Sequence, residues 1–305
     1  MNNKVINYHA VSDSFWFENT LLHLKKRYTF ISIHDLEEYY YNGKILKNSC
    51  HITVDDGDEI FCDVMYPILK KHHIPATIFV SPEICLNNKN YWFQEFKDYN
   101  QNQLKLIISR YYNTDIIYLH KISVGNILKA CRIDDIKNIL HIYSEQFDGK
   151  SKASQNISVN QLIKIDQEGL VTIGAHTLNH PILANEDDQN SKKEIIESIS
   201  KLEGILNHGV KYFAYPNGIP FLDFDQREME YLKLKNIRLA FTTEVDDVYK
   251  KNNPLAIPRY GLSYGSRYFV NTKLNLRNKW RIIKYLKYYK EKVLRKKLRD
   301  KFYGN

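Results

Sequence analysis

Two short clusters of polar residues hold the side chains best suited to chemistry. The stretch HITVDDG places Asp55 and Asp56 directly after an apolar run, and LVTIGAHTLNHPIL places His176 and His180 four positions apart after another. Two imidazoles and one carboxylate can hold a divalent metal and leave a position open for water, which is the ligand set of hydrolytic metal centres. The second carboxylate would then be free to act as a general base.

Each cluster also has a simpler explanation. Asp56-Gly57 is a common turn signal, and two histidines at this spacing arise often by chance on a surface turn. The position of the clusters favours a site, because functional groups in parallel α/β folds gather at the carboxyl ends of the strands. We therefore predict that both clusters meet at one end of a parallel sheet or barrel.

The rest of the chain supplies the elements that such a site needs. Short apolar segments alternate with longer segments of helical period, which is the pattern of β/α units. The predicted strands are 5–8, 28–31, 50–55, 76–81, 170–175, 212–215, 239–243 and 256–258. Helices are predicted after Gly57 and over 191–207. Residues 86–157 lack strand signals, and we interpret them as a helical insertion that packs on the barrel; shaping a substrate cleft or a partner surface also fits the pattern.

The net charge of +9 is concentrated at the end of the chain. Residues 274–305 contain twelve Lys or Arg against Glu291 and Asp300, a local net of +10 that leaves −1 for the rest. This segment predicts a basic amphipathic helix suited to an anionic membrane surface. A helix packed on its own domain is the second interpretation, and nonspecific phosphate binding is the third. The sequence has no base-recognition motif, so no specific nucleic acid partner is expected.

Composition and cysteine usage bear on the compartment. With 43% hydrophobic and 26% charged residues, the composition is that of an ordinary folded protein. The four cysteines form no C-x-x-C pair, which suits reduced thiols, and the first residues have neither the apolar segment nor the cleavage site of a signal peptide. We expect a cytoplasmic protein, peripheral at the inner membrane through its tail.

The two clusters also resemble the motifs of a known family. TVDDG (53–57) and HTLNH (176–180) are similar to the T-F-D-D-G and H-[ST]-x-x-H motifs of the polysaccharide deacetylases of the NodB-homology type, carbohydrate esterase family four. Further segments resemble this family, namely Tyr8-His9, PILKKHHIPATIFV (67–80), YFAYPNG (212–218) and IPRYG (257–261). The insertion and the basic tail lie outside this resemblance.

The resemblance implies a fold and an activity. The fold is an α/β, distorted (β/α) barrel of the NodB-homology type, which would occupy residues 1–273, include the helical insertion at about 86–157, and be followed by the basic C-terminal helix at 274–305. The activity is metal-dependent removal of the N-acetyl group from an amino sugar of a cell-surface glycan or its lipid-linked precursor. A catalytically silent homologue that binds glycan or scaffolds a membrane assembly is the alternative, and an amidase acting on a non-sugar amide is a third possibility.

The resemblance also assigns roles to single residues. Asp56, His176 and His180 would bind the metal, and Asp55 would be the general base. Zinc is the expected ion, and cobalt, nickel and manganese suit the same ligands. The third motif supplies the predicted substrate and oxyanion contacts, which are Asn217, through its backbone N–H, and Tyr215.

Two positions depart from the family pattern. Ala214 stands where many members have an arginine that orients the catalytic Asp, and Arg259 is the expected substitute. The L-x-H motif that supplies a general-acid histidine in many members has no visible counterpart. His9 is our candidate for that acid, because in a closed barrel the first strand lies beside the last.

Overall fold

The core of the protein is a curled parallel sheet. A computed structural model describes residues 2–147 and 152–304. The strands are β1 (Lys4–Tyr8), β2 (Thr29–Phe30), β3 (Ser49–Val54), β4 (Ala76–Val80), β5 (Val171–Ala175), β6 (Tyr212–Ala214), β7 (Leu239–Phe241) and β8 (Tyr260–Gly261). Their order in the sheet is β7-β6-β5-β4-β3-β1-β8, with β2 paired to β3. The order of the sheet gives the distorted (β/α) barrel that the sequence predicts.

The barrel closes between β7 and β1, through a short segment that runs from Ile257 to β8. Tyr260 of β8 pairs with Ile6 of β1, and Ile257 forms a single parallel bridge with Phe241 of β7. The predicted strand 256–258 is therefore wrong in its bounds. Only one residue of that stretch bridges a neighbour, and the chain becomes a strand at Tyr260, where it reaches β1.

Helices follow most of the strands and lie outside the sheet. They are α1 (Ser14–Lys25), α2 (Ile33–Tyr41), α3 (Tyr66–Lys71), α4 (Pro82–Asn87), α5 (Trp92–Glu95), α6 (Gln101–Tyr111), α7 (Ile116–His120), α8 (Val124–Leu128), α9 (Ile133–Gln146), α10 (Val159–Glu168), α11 (Asp188–Leu206), α12 (Gln226–Leu234), α13 (Arg267–Asn275) and α14 (Arg277–Tyr303). The helix predicted after Gly57 begins as a π-helical turn, Phe61–Met65. Pro67 follows this turn and has no N–H to continue a regular α-helical ladder.

The insertion has a hydrophobic core of its own. Helices α6, α8 and α9 bury Leu104, Leu128 and Ile139 among other apolar side chains. Residues 148–151 of the predicted insertion lie outside the described residues. Leu298 of α14 is fully buried in the same cluster, a burial that contributes roughly 1.5–3 kcal/mol for one leucine. The end of the tail thus packs on the insertion.

Alternation along β3 positions the candidate site. His51 and Thr53 bond to the strands on either side of β3, His51 to Thr77 of β4 at 3.0 Å and Thr53 to the Ile6 carbonyl of β1 at 3.0 Å, and Thr53 also accepts from the interior residue Arg259 at 3.2 Å. Because successive side chains of a strand point to opposite faces, Asp55 continues this inward row at the carboxyl end of the barrel. Asp56 is the next residue and lies in the turn that follows the strand.

Candidate active site

The two polar clusters meet at the carboxyl ends of β3 and β5. Oδ1 of Asp56 lies 3.5 Å from Nε2 of His176 and 3.5 Å from Nε2 of His180. One ligand atom from each of these residues lies within 4.8 Å of the others. Both histidines are buried, and Asp56 is nearly so. The residues that the sequence assigns to the metal therefore come together at one point.

This group has the donor chemistry of a cation site. Nδ1 of His176 donates to the Ala214 carbonyl at 2.7 Å, so its Nε2 presents a lone pair toward Asp56. Within the described residues, buried Oδ1 of Asp56 has no hydrogen-bond partner. A buried carboxylate oxygen is rarely left in this state, because its desolvation is then uncompensated. The three residues fit a divalent cation.

The protonation state of each histidine determines whether its imidazole can bind a cation. Burial lowers the pKa of His180 to about 3, so this imidazole is neutral at neutral pH, as a metal ligand must be. Burial also acts to lower the pKa of His176, but the carboxylates of Asp56 and Asp55 raise it above its ordinary value. A cation would therefore compete with a proton at His176.

The backbone at these residues is strained. Asp56, Thr177 and His180 have φ angles of 74°, 63° and 58°, in the left-handed region that side-chain-bearing residues seldom adopt. Gly57 has a φ of 73°, and a Cβ there would lie 2.8 Å from Cγ1 of Val80. Such conformations persist only where surrounding contacts fix them.

Glu194 of α11 is one residue that fixes the histidine loop. Its buried Oε2 accepts from the backbone N–H groups of Leu178 at 3.0 Å and Asn179 at 2.9 Å, and its Oε1 accepts from Nδ2 of Asn179 at 2.7 Å. Glu194 was not predicted as a site residue. The available signal was its position directly before Ile195, which begins the apolar stripe of the helix predicted at 191–207.

The insertion also holds the site together. The Tyr91 hydroxyl donates to the Asp56 carbonyl at 2.6 Å, and Nε1 of Trp92 donates to the His180 carbonyl at 3.0 Å. The ring of Phe93 lies 4.9 Å from that of His180, measured between centroids. The insertion therefore does more than pack on the barrel, in agreement with the second interpretation, that it shapes a cleft. Its first helical turn supports both loops of the candidate metal site and forms part of the pocket.

Asp55 is held by Arg259 rather than by the histidines. Nη1 and Nη2 of Arg259 donate to Oδ1 and Oδ2 of Asp55 at 2.7 and 2.8 Å, and Asn7 donates to Oδ2 at 2.9 Å. Burial acts to raise the pKa of Asp55, but the charges of Arg259 and His176 lower it below its ordinary value. Asp55 is thus an oriented, ionised carboxylate. Asn7 was not predicted as a site residue, although alternation along β1 places it on the inner face.

A pocket of about 370 Å³ opens onto these groups. Its lining consists of His9, Asp55, Asp56, Trp92, Phe93, Lys129, His176, His180, Asn217 and Thr243. Nε2 of His9 lies 3.9 Å from Oδ2 of Asp56, and its side chain is 61% exposed. Asn217 has a φ of 56°.

The structure does not bring Tyr215 into the pocket. Its side chain is fully buried, donates to the Leu255 carbonyl at 3.0 Å and stacks on Phe224 with ring centroids 3.5 Å apart. The buried position of this side chain therefore gives no support to its predicted contact with the substrate. Tyr215 instead shapes the packing below the loop that holds Asn217.

Comparison with known sequences decides the family. A sequence model described as polysaccharide deacetylase matches residues 42–110 and 121–237, more than half of the chain. The chain belongs to the polysaccharide deacetylase family. The match covers much of the segment 86–157, which motif resemblance alone had left outside the family.

Curated relatives of this polysaccharide deacetylase match a limited stretch. Poly-β-1,6-N-acetyl-D-glucosamine N-deacetylase of Staphylococcus aureus is 39% identical over 80 residues, which is 26% of this chain and 27% of that protein. The protein of the same name from Staphylococcus epidermidis is 41% identical over 51 residues, 17% of this chain and 18% of that protein. The match spans about a quarter or less of the length of these relatives.

Solved structures share the fold at low sequence identity. IcaB from Ammonifex degensii has a TM-score of 0.60 at 17% identity and covers 92% of this chain and 97% of its own. The Streptococcus pyogenes deacetylase PplD, solved with acetate, has a TM-score of 0.57 at 18% identity, with 86% and 92% covered. These similarities confirm the distorted barrel as the fold of the polysaccharide deacetylase.

Proposed function

We propose that this polysaccharide deacetylase removes the N-acetyl group from an amino sugar of a cell-surface glycan or of its lipid-linked precursor. The observation that carries the proposal is the convergence of Asp56, His176 and His180 beside a second carboxylate, Asp55, with a different partner. A binding module would not need an oriented base next to a full ligand set. The name of the staphylococcal relatives, which specifies a polymer of an N-acetylated amino sugar, supports the same substrate class.

Zinc is the proposed ion, and cobalt, nickel and manganese suit the same ligands. When bound by Asp56, His176 and His180, such an ion supplies Lewis-acid chemistry, polarising a carbonyl and making water more acidic. Asp55 accepts the proton of the attacking water. A carboxylate offers about four lone-pair positions, and Arg259 and Asn7 occupy three of them, so Oδ1 keeps one for this proton.

The remaining steps need an oxyanion donor and a proton donor. The backbone N–H of Asn217 is proposed to donate to the acetyl oxygen as negative charge develops there. As the C–N bond breaks, the nitrogen of the sugar takes a proton and acetate is released. We propose His9 as the source of that proton, since it lines the same pocket and belongs to the loop after β1. Arg259 acts as a positioning residue through Asp55.

The test combines metal analysis with acetate release. Purified protein is assayed for bound divalent metal and for acetate released from oligomers of β-1,6-linked N-acetylglucosamine, with other N-acetylhexosamines and non-sugar amides as a panel. We expect bound metal and acetate release, both lost in His180→Ala and kept in His208→Ala, a control histidine that also pairs with a carboxylate, Asp166. Oligomer binding without acetate release would favour the silent homologue, and release only from non-sugar amides would favour the amidase.

We further propose that the protein is cytoplasmic and peripheral at the inner membrane. Within the described part of the chain, no helix is long and apolar enough to cross a bilayer. The first half of α14 exposes Ile282, Ile283, Leu286 and Tyr289 beside several Lys and Arg side chains. Each basic residue near an anionic surface contributes about 1 kcal/mol, which is enough in sum for reversible binding.

Vesicle sedimentation tests the membrane proposal. We expect binding to vesicles that contain phosphatidylglycerol, weaker binding to phosphatidylcholine alone, and loss of binding at high salt. The pair Ile283→Glu and Leu286→Glu is expected to abolish binding. Ile117→Glu is the control, because Ile117 is an exposed apolar residue on the insertion, away from α14. Equal sedimentation of all variants would contradict the proposal.

A further inference from the structure

One wall of the pocket comes from the insertion, and α14 contacts the backbone of this wall. Lys129, which follows α8, lines the same pocket as the proposed metal-binding residues. Nδ2 of Asn185 donates to the carbonyl groups of Lys129 and Cys131, both at 2.9 Å, and Nη1 of Arg299 in α14 donates to the Ala130 carbonyl at 3.3 Å. The backbone around Lys129 is therefore fixed from two sides, and the place where its side chain enters the pocket is defined.

The Lys129 side chain has a charged neighbour but, within the described part of the chain, no hydrogen-bond partner. Its Nζ lies 3.7 Å from Oε1 of Glu291 in α14. Over residues 2–147 and 152–304, this ammonium donates no hydrogen bond. Glu291 is itself held by Arg295, which is buried and pairs with buried Asp223. Burial acts to raise the pKa of Glu291, but Arg295 and Lys129 lower it, so the carboxylate is ionised.

The Lys129 ammonium has the chemistry of a sugar-hydroxyl site. A hydroxyl oxygen accepts hydrogen bonds, and Lys129, paired with Glu291 behind the pocket wall, offers N–H donors to it. Hydrogen bonds to charged groups are about twice as strong as those between neutral groups. The ring of Phe93, also in the pocket wall, adds an apolar surface near the metal-binding His180. Pockets for small ligands commonly combine a few such polar groups with apolar walls.

We propose that the ammonium of Lys129, oriented by Glu291, binds a hydroxyl group of the substrate sugar and so determines which sugar places its acetamido group at Asp55. The inference rests on the proposed deacetylase function and names its substrate class more narrowly. Because Glu291 compensates the charge of Lys129 from behind the pocket wall, the site favours a neutral amino sugar over one that carries a carboxylate or phosphate at this position. The insertion and α14 then belong to the substrate site as well as to the fold.

The test separates binding from chemistry. KM and kcat for acetate release, and the Kd of the oligomer by calorimetry, are measured for wild type, Lys129→Met, Lys129→Arg and Glu291→Gln. We expect Lys129→Met to raise KM and Kd about 10-fold, as for loss of a charge-assisted hydrogen bond, with little change in kcat or metal content. Lys129→Arg is expected to keep most of the affinity. Lys121→Met, an exposed lysine of the same insertion, is the matched control.

Several outcomes would overturn the inference. An unchanged KM and Kd in Lys129→Met would remove the residue from the substrate site. A fall in kcat at unchanged KM would instead make Lys129 part of the chemistry, against the binding role. If wild type binds the oligomer but releases no acetate, the proposed function fails, and the comparison of Kd values still tests the subsite. Glu291→Gln provides a second variant should Lys129→Met not fold.

Discussion

Arg259 and Asp55 form a doubly hydrogen-bonded ion pair across the inside of the barrel, with N–O distances of 2.7 and 2.8 Å. Arg259 is fully buried, and its guanidinium also donates to Asn7, Thr53 and the Thr242 carbonyl. A planar guanidinium matches a carboxylate in two directions at once. Arg259 thus fixes both the position and the ionisation of Asp55, although Ala214 occupies the position where many relatives in the family pattern have an arginine.

Replacing Arg259 by Met is expected to destabilise the protein by about 3–5 kcal/mol, because a buried carboxylate loses its counter-charge. Denaturant unfolding measures the change. The double variant Asp55→Asn with Arg259→Met is expected to recover part of that loss, since no buried charge is then left unpaired. Equal stability of wild type and the single Arg259→Met variant would contradict the structural role given to the pair.

The adjacent carboxylates are expected to respond differently to substitution. Asp55→Asn removes the base but no metal ligand, so metal content is expected to persist while kcat falls about 100-fold or more. Asp56→Asn weakens the ligand set, so metal content itself is expected to fall. Metal analysis of both variants, with acetate release in excess zinc, distinguishes the two roles. Loss of metal in Asp55→Asn would mean that the assignments are reversed.

The site residues at the strand ends could be predicted from their motifs, because the topology of a parallel sheet brings the ends of its strands together. Asp56, His176 and His180 needed only the expectation that β3 and β5 end at the same edge of the sheet. Glu194 and Lys129 could not be found this way. Their roles depend on how α11 and the insertion pack against the loops, and helical period shows which face is buried but not which loop it meets. The predicted substrate contact of Tyr215 could not be judged from the sequence for a similar reason, since a motif position does not show which way a side chain points.

Glu194 is expected to control metal affinity without touching the metal. Removing it in Glu194→Ala leaves the N–H groups of Leu178 and Asn179 unpaired and frees a loop with two residues at positive φ. Loss of such supporting hydrogen bonds typically costs 10- to 100-fold in metal affinity, roughly what we expect here. Competition with a chelating dye measures the Kd, and excess metal is expected to restore activity.

The control for this substitution is Glu186→Gln at constant pH. Glu186 is a buried carboxylate near the same loop, but it accepts from the backbone N–H of Ile133 in the insertion, at 2.8 Å. Its replacement is expected to leave the metal Kd unchanged. If Glu194→Ala and Glu186→Gln weakened metal binding equally, a general loss of structure would explain both.

Glu186 is also expected to make stability depend on pH. Burial raises the pKa of Glu186 to about 7 from an ordinary value of 4.5. The folded state therefore holds this proton more tightly than the unfolded state, so the contribution is full below about pH 4.5 and is lost as the pH rises to about 7. The loss is of the order of 1–3 kcal/mol. The difference between wild type and Glu186→Gln in unfolding free energy, followed from pH 4.5 to 8, should show this slope; parallel curves would exclude it.

His9 is the last group whose role a single substitution can decide. Its ring lies in the pocket, 3.9 Å from Asp56, on the loop that leaves β1 beside β8. If it protonates the departing amine, His9→Ala is expected to lower kcat about 100-fold, the usual contribution of a general acid, without loss of metal. Added imidazole should restore part of the rate to this variant, because its protonated form can occupy the vacated space and donate the proton. Lys129→Met serves as the comparison, since it is expected to change KM instead. Full activity of His9→Ala at every pH would leave proton delivery to water or to the substrate amine.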